Sequence, residues 1–313
     1  MRQLLFILLV LTSQLLTAQR QEPLYYFIVN DTLIGIKDNK GKIIIPAKHR
    51  IWDGYENNAQ VPPGLINFFE YFDKPSTTAF GAWKTFDRDG KYLYQPYIFD
   101  GRPDDIYEGL SRFVENDKIG FVDRQGKKII PARFDLVGEF RMGTASFCNG
   151  CYFDTTKDIE HPPLVGGTYG IINRKGKVLI DNIPYDTSWS FRGKLDSIGK
   201  TFYTREFQYS AFEKTVIQKL DPYKASIEKA YFAKYNDDKK RALIFDLVET
   251  PTSDFPYYVI YSRELSGKSV THDFWDKLEF HINKEGKIIN AVMFFDLVPF
   301  QKWYKEYTQG QYR

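Results

Sequence analysis

Two stretches of the chain are nearly the same string. Ile34–Arg50 reads IGIKDNKGKIIIPAKHR and Ile119–Asp135 reads IGFVDRQGKKIIPARFD. In each, a polar turn centred on Gly41 or Gly126 separates two β-type runs, and Pro46 or Pro131 follows. Alignment on the turn glycine brings out two further copies, at Gly90 (WKTFDRDGKYLYQPYIFD) and Gly176 (TYGIINRKGKVLIDNIPYD). All four glycines precede a lysine: Lys42, Lys91, Lys127 and Lys177. The spacings of 49, 36 and 50 residues lie in the range of repeat architectures.

The chemistry of one copy is local. Asp38, Asp87, Asp123 and Asn173 open the turns, and such side chains favour turns by bonding nearby backbone. The glycine supplies a positive φ, and the lysine keeps the turn solvated. Proline lacks the amide for a ladder bond, so Pro46, Pro96 and Pro131 should end their strands or place them on an edge. Each copy therefore reads as a β-hairpin with a punctuated exit. A lone hairpin is marginal in water, so the copies must stack to bury their apolar faces.

These residues resemble the WG-repeat family, found largely in bacterial proteins. The best unit is Glu108–Asp135, EGLSRFVENDKIGFVDRQGKKIIPARFD. It carries the leading EGL, the D-x-x-G-K turn and the IIP-x-x-F/Y-D ending. The aromatic expected before the strand glycine is Ile34, Ile119 or Tyr169 here; the Gly90 unit lacks that glycine. The Gly41 unit ends in His49-Arg50 instead of aromatic-Asp, and the Gly176 unit has Asp181 in place of proline. The resemblance covers roughly Tyr25–Ile198. It implies a non-enzymatic β-repeat module that serves as an interaction surface, and it supplies no catalytic residues. The insertions Asn57–Gly81 and Phe153–Gly167 read as long loops, and long loops on a repeat scaffold often carry binding. Phe68, Phe69, Tyr71 and Phe72 of the first are better read as tucked against the core than as a contact surface.

Composition fits. Aromatic residues make up 17% of the chain, and these pack well on pleated surfaces. The net charge is only +3 with no basic block, which removes the electrostatic footprint of a nucleic-acid binder. Residues 1–18, MRQLLFILLVLTSQLLTA, are too short to span a bilayer and fit a cleaved signal peptide. The mature protein would then be periplasmic or extracellular, with no membrane span. The two cysteines stand in SFCNGCYF. Asn149-Gly150 is a hairpin-turn signal that would set Cys148 and Cys151 face to face. In an exported chain this favours a local disulfide over a redox pair, which needs its first cysteine at a helix N-terminus. No metal set is legible: His49, His161, His272 and His281 are scattered. No cofactor motif appears, whether glycine-rich phosphate loop or HExxH.

The period changes from about Ser197. Asp221-Pro222 opens a helix by capping chemistry, Phe212–Leu220 can precede it as another, and strands are expected at 241–249, 256–264, 273–282 and 287–296 with a closing helix at 299–307. The segment from His272 to Phe300 resembles the end of SnoaL-like domains of the nuclear-transport-factor-2-like superfamily, through Trp275, Gly286, Lys287, Ile288, Phe295 and Asp296. That resemblance implies a cone with a pocket, to which Tyr261, Trp275, His281 and Met293 could contribute. Strand alternation leaves open which face they take. The rival reading of Gly286 is a fifth, degenerate repeat hairpin.

The expected fold is mainly β: an array of β-hairpin repeats over residues 19–200, followed by a smaller α+β domain at 205–313. The expected function is non-catalytic binding of a protein or cell-envelope partner. The competing class is a small-molecule binder or enzyme centred on a C-terminal pocket.

Overall fold

A computed structural model describes residues 22–51, 55–70, 83–160, 162–184, 206–233, 241–266, 269–271, 277–293 and 296–311. The fold is mainly β, with several antiparallel sheets and a small helical C-terminal region. Two compact units divide the chain, one of residues before Tyr94 and one of Tyr94–Arg313. The second holds both the later repeats and the C-terminal region. The expected limits at residues 200 and 205, like the signal segment, fall outside the described residues.

Each repeat is a three-stranded antiparallel meander, one strand more than the hairpin expected. The first is β1 (Leu24–Val29), β2 (Leu33–Asp38) and β3 (Ile43–Arg50); the second is β4 (Ile66–Phe69), β5 (Trp83–Phe86) and β6 (Tyr92–Pro96). A small hairpin, β7 (Ile98–Phe99) and β8 (Arg102–Pro103), precedes the third repeat: β9 (Leu110–Glu115), β10 (Lys118–Asp123) and β11 (Lys128–Phe134). A short β12 (Leu136–Val137) then pairs with the fourth: β13 (Thr144–Phe153), β14 (Leu164–Asn173) and β15 (Val178–Pro184). In the first and third repeats the added strand enters through an Asn-Asp turn. Asn30 and Asp31 have φ of 52° and 54°, and Asn116 and Asp117 have 52° and 57°. Positive φ at both central residues suits the right-handed twist of a tight hairpin.

The glycine turns follow one design. In all four, Oδ1 of the leading Asp or Asn accepts two backbone N–H bonds, from the residues two and four further on, at 2.8–3.1 Å. A fifth turn in the C-terminal sheet shares part of it: Lys287 N donates to Asn283 Oδ1 at 2.8 Å, and Gly286 has φ 79°.

A second signature explains the other glycine of the repeat. Each first strand places a phenylalanine directly opposite the same point of the second strand. The pairs are Phe27 with Gly35, Phe68 with Lys84, Phe113 with Gly120, and Phe147 with Gly170. A Cβ on Gly120 would lie 2.5 Å from Ile130 O and 2.7 Å from the Phe113 ring. Gly35 meets Ile45 O and Phe27 at the same distances. In the first, third and fourth repeats the ring and the third strand leave no room for a side chain; the second repeat, with Lys84 at this point, departs from the pattern.

A bulge in the third strand places the prolines. Pro46 and Pro131 do not end their strands; they sit within β3 and β11. The register slips there, between Ile34↔His49 and Ile36↔Ile45, and between Ile119↔Phe134 and Phe121↔Ile130. A bulged residue has no ladder partner, so the missing amide costs nothing.

Contacts between successive repeats are repeated too. The ring that ends one repeat packs on the first-strand phenylalanine of the next: Phe134 on Phe147 at 4.9 Å, and His49 on Phe68 at 4.4 Å. His49 thus fills the aromatic position that the first repeat had seemed to lose. The turn glycine of a later repeat also packs on the apolar third strand of the one before, Gly90 on Ile44 and Ile45 and Gly176 on Ile130. Gly41, in the first repeat, has nothing within 4 Å of its Cβ position. The stretch Asn57–Gly81 is not one long loop as expected: Phe68 and Phe69 lie in β4, where pairing with β5 makes them part of the second repeat and Phe68 is fully buried, while Tyr71 and Phe72 lie outside the described residues.

The C-terminal region starts with α1 (Ala211–Ile217), whose N-terminus carries a reciprocal Ser210–Glu213 capping box. After a 3-10 turn comes α2 (Asp221–Phe232), with proline in its first turn. The strands are β16 (Arg241–Glu249), β17 (Tyr257–Ser266), β18 (Ser269–Thr271), β19 (Glu279–Asn283), β20 (Ile288–Met293) and β21 (Asp296–Pro299), and α3 (Phe300–Thr308) closes the fold. The sheet order is β16-β17-β19-β20-β21. Alternate residues, Leu243, Phe245, Ile260, Phe280 and Ile282, face the helices and pack with Val216, Leu220, Ile227, Phe300 and Trp303.

Gly120→Ala should lower stability by about 3 kcal/mol, because backbone must shift to admit the Cβ. Gly41→Ala should cost only the left-handed strain of about 1–2 kcal/mol. Urea unfolding midpoints of the two variants would check this order.

Candidate functional site: a charged seam and an extended hairpin

The second face of the C-terminal sheet carries the polar residues. Asp246 on β16, Tyr261 and Arg263 on β17, and Glu279 and His281 on β19 alternate with the residues that face the helices. The face left open for Tyr261 and His281 is therefore the one away from the helices. Both are buried. Met293 ends β20 opposite Asp296, and Trp275 lies outside the described residues.

Glu108, from the EGL of the third repeat, is the hub of this face. Its two oxygens accept N–H bonds from Met142 at 2.7 Å and Gly143 at 2.8 Å, and the same carboxylate pairs with Arg263. Arg263 Nε continues to Asp246 at 3.1 Å, and Tyr209 O–H donates to the other Asp246 oxygen at 3.0 Å. All three charged side chains are buried. A buried ion pair persists only when its remaining hydrogen-bonding capacity is also met, and here the chain supplies those partners.

The repeat turns complete the seam. Arg124, after Asp123, makes a two-pronged bond to Glu249, 2.8 Å on each arm, and lies 4.2 Å over the Phe255 ring. Gln125 donates to Thr252 at 2.8 Å, and Arg174, at the matching place in the fourth repeat, donates to the Val248 carbonyl. Burial alone would lower the Arg124 pKa, but the Glu249 carboxylate outweighs it and holds it above its ordinary value. Nearby, His281 Nε2 lies 3.0 Å from Glu279, Lys277 Nζ lies 3.7 Å from the same carboxylate, and that ammonium sits over the Tyr261 ring. Burial pushes the Tyr261 hydroxyl well up and the Lys277 ammonium down. Burial would raise Glu279 as well, yet the bond to His281 and the charge on Lys277 more than offset this and hold it below 4.5. Sequence reasoning missed these roles, although a signal was present: arginine follows the turn Asp or Asn at Arg88, Arg124 and Arg174.

The fourth repeat also projects a hairpin. Cys148 and Cys151 are bonded, with Cα atoms 6.1 Å apart, but Asn149-Gly150 is not the hairpin turn expected. The β13–β14 ladder runs straight past it to Phe153↔Leu164. Gly150, with φ 76°, faces Gly167, with φ 71°, and this opposed pair absorbs the kink while the chain reverses further out. Asp135, the last residue of the third repeat's motif, accepts the Gly150 N–H at 2.6 Å. Beyond this root, Tyr152, Phe153 and Ile159 are 61%, 52% and 85% exposed. The four turn glycines serve the scaffold itself. Among the described residues, no group of three or more His, Cys, Asp or Glu side chains could hold a metal ion, and no helix is long and apolar enough to cross a membrane.

A family model described as WG containing repeat matches residues 119–150. That stretch runs from β10 through β11 and β12 into β13, so it spans two strands of one meander and the first strand of the next. No curated protein and no solved structure matches the chain.

Glu108→Ala should cost about 3–5 kcal/mol, since it takes one of two carboxylates from buried Arg263 and leaves the Met142 and Gly143 N–H groups without their acceptor. A double-mutant cycle on Glu108 and Arg263 should show a coupling above about 1 kcal/mol, whereas the exposed Lys128–Glu115 pair should show at most about 0.5 kcal/mol. Glu279 predicts a pH dependence. Its folded pKa lies below its unfolded value, so its stabilisation is complete above 4.5 and lost as pH falls through the folded value. Urea midpoints followed from about pH 7 to about pH 3 should therefore fall less steeply in Glu279→Gln than in the parent chain.

Proposed function

We propose that this is an exported, non-catalytic binding protein whose repeat array presents a contact surface to a protein or cell-envelope partner. The array is read as WG repeats over roughly residues 25–198. The shared Phe–Gly strand pairing and turn bonding in units outside the matched stretch support that extent. Export rests on the signal-like residues 1–18. The SnoaL-like reading of the C-terminal region rests on sequence resemblance alone.

The observation that carries the proposal is the extended β13–β14 hairpin. Two aromatic rings and Ile159 stand in solvent on a ribbon whose root is held by a disulfide and by Asp135. Tyr152 and Phe153 are consecutive in β13 and so expose a ring on each face of the ribbon, which offers a partner apolar surface on both sides. The seam supports the same reading. Glu108, Asp246, Glu249 and Arg263 are engaged with one another or with the repeats, so their chemistry is spent on holding the sheet in place.

The full chain, immobilised, should retain one or a few specific proteins from envelope extract of the organism that encodes it. The triple variant Tyr152→Ser, Phe153→Ser, Ile159→Ser should lose them at an unchanged unfolding midpoint. Equal retention by both proteins would contradict the proposal.

A further inference from the structure

The first and second repeats meet on a histidine. Among the described residues, β3 and β4 share one registered pair, Arg50↔Phe69, so the sheet itself holds this join thinly. What fills it is a stack of rings. His49 of β3 lies flat on Phe68 of β4, 4.4 Å between ring centres and 5° from parallel, and meets Phe86 of β5 edge-on at 5.2 Å. Phe86 in turn meets Phe68 edge-on at 5.9 Å. His49 is 1% exposed. The third repeat puts Phe134 at this place, where it packs on Phe147 of the fourth. The position calls for an uncharged ring, and the first repeat fills it with one that can acquire a charge. We propose that His49 makes this join an acid-opened joint: protonation of its ring loosens the first repeat from the second, independently of any partner on the hairpin.

Two features make the neutral ring the one that fits. The first is the bond at Nδ1, which lies 2.6 Å from Glu70 Oε1. A carboxylate accepts, so the neutral ring carries its proton on Nδ1 and leaves Nε2 bare. The second is Nε2 itself. It is shielded from solvent and has no partner among the described residues. A second proton would place an N–H donor at that atom, with a charge spread over the ring, between two phenylalanines and with no acceptor in reach. Buried donors are rarely left so, and a low-dielectric setting penalises the charged form of a histidine.

The charges around the ring do not reverse this. Burial acts most strongly and lowers the His49 pKa; Glu70 raises it through its bond and its charge, while Lys48 and Lys84 lower it. Glu70 is also shared, since Lys84 Nζ lies 3.3 Å from its other oxygen. The outcome is a pKa below the ordinary 6.5. As pH falls, the unfolded chain therefore takes up the proton first. The stabilisation that the neutral ring contributes is complete above 6.5 and is lost as pH falls from there towards the folded value. That window opens near neutrality, where histidine is the side chain that changes charge.

Two measurements on the full chain test the joint. Nuclear magnetic resonance of the histidine rings from about pH 8 to about pH 4, with the His49 ring assigned through bonds to its own backbone, should give a pKa below 6.5. In Glu70→Gln, which removes the carboxylate that favours the cation, that pKa should fall further. Native-state hydrogen exchange, corrected for the intrinsic effect of pH on exchange, should show peptides from β1–β3 opening about threefold or more as readily at about pH 5 as at about pH 7. His49→Phe restores the ring that the third repeat uses and should remove that difference. The hairpin triple variant should behave as the parent does, which separates the joint from the proposed partner surface. A His49 pKa at or above 6.5, no rise in β1–β3 opening in the parent, or the same rise in His49→Phe would each overturn the proposal. The resonance measurement needs no variant, so it decides the matter even if His49→Phe fails to fold.

Discussion

One carboxylate organises the larger unit. Glu108 comes from the turn that opens the third repeat, takes the backbone N–H groups of the equivalent turn in the fourth, and pairs with an arginine from the C-terminal sheet. It therefore joins repeat to repeat and repeat to sheet with a single buried charge. Leaving such a charge unpaired costs several kcal/mol, so the groups around it are constrained together. Arg124 and Arg174 extend the same clamp to the end of β16. The result is that the C-terminal sheet covers the turns of the third and fourth repeats, while the β13–β14 hairpin is left projecting.

The repeats have their own economy. A phenylalanine on the first strand lies over a glycine on the second, and the third strand bulges toward the same glycine. The ring supplies the apolar surface that glycine lacks, an arrangement known to stabilise glycine in sheets. The ring that ends one repeat then packs on the next repeat's phenylalanine. Each repeat thus buries a face that it could not bury alone. With this work confined to a few positions, the hairpin tips and insertions are free to differ.

Much of this is legible in the sequence. The turn chemistry at Asp38, Asp87, Asp123 and Asn173 is local, and local rules hold wherever the chain can obey them. The mainly β architecture and the helix–helix–strand order of the C-terminal region followed from changes of period. The third strand of the first and third meanders was missed because its only marker is a pair of Asn-Asp residues, at Asn30-Asp31 and Asn116-Asp117. Pro131 was misread as a stop because a bulge depends on the partner strand, which a single string does not display. Asn149-Gly150 was misread for the same reason: Gly167, across the ladder, turns a hairpin signal into a kink. The seam was invisible for a deeper cause. Its partners lie as far apart as Glu108 and Arg263, and no periodicity links them. Tyr261 and His281 were read as pocket candidates with their face left open, and only the pairing of β17 with β19 decides which face they share.

The central claim is that this seam makes the later repeats and the C-terminal sheet one cooperative body. Native-state hydrogen exchange followed by mass spectrometry tests it most directly. Peptides from β9–β11, from β13–β14 and from β16–β17 should reach the same opening free energy and respond together as denaturant is added. If the β16–β17 peptides instead open at a markedly lower free energy while the repeat peptides stay protected, the sheet folds on its own account and the seam is only a contact.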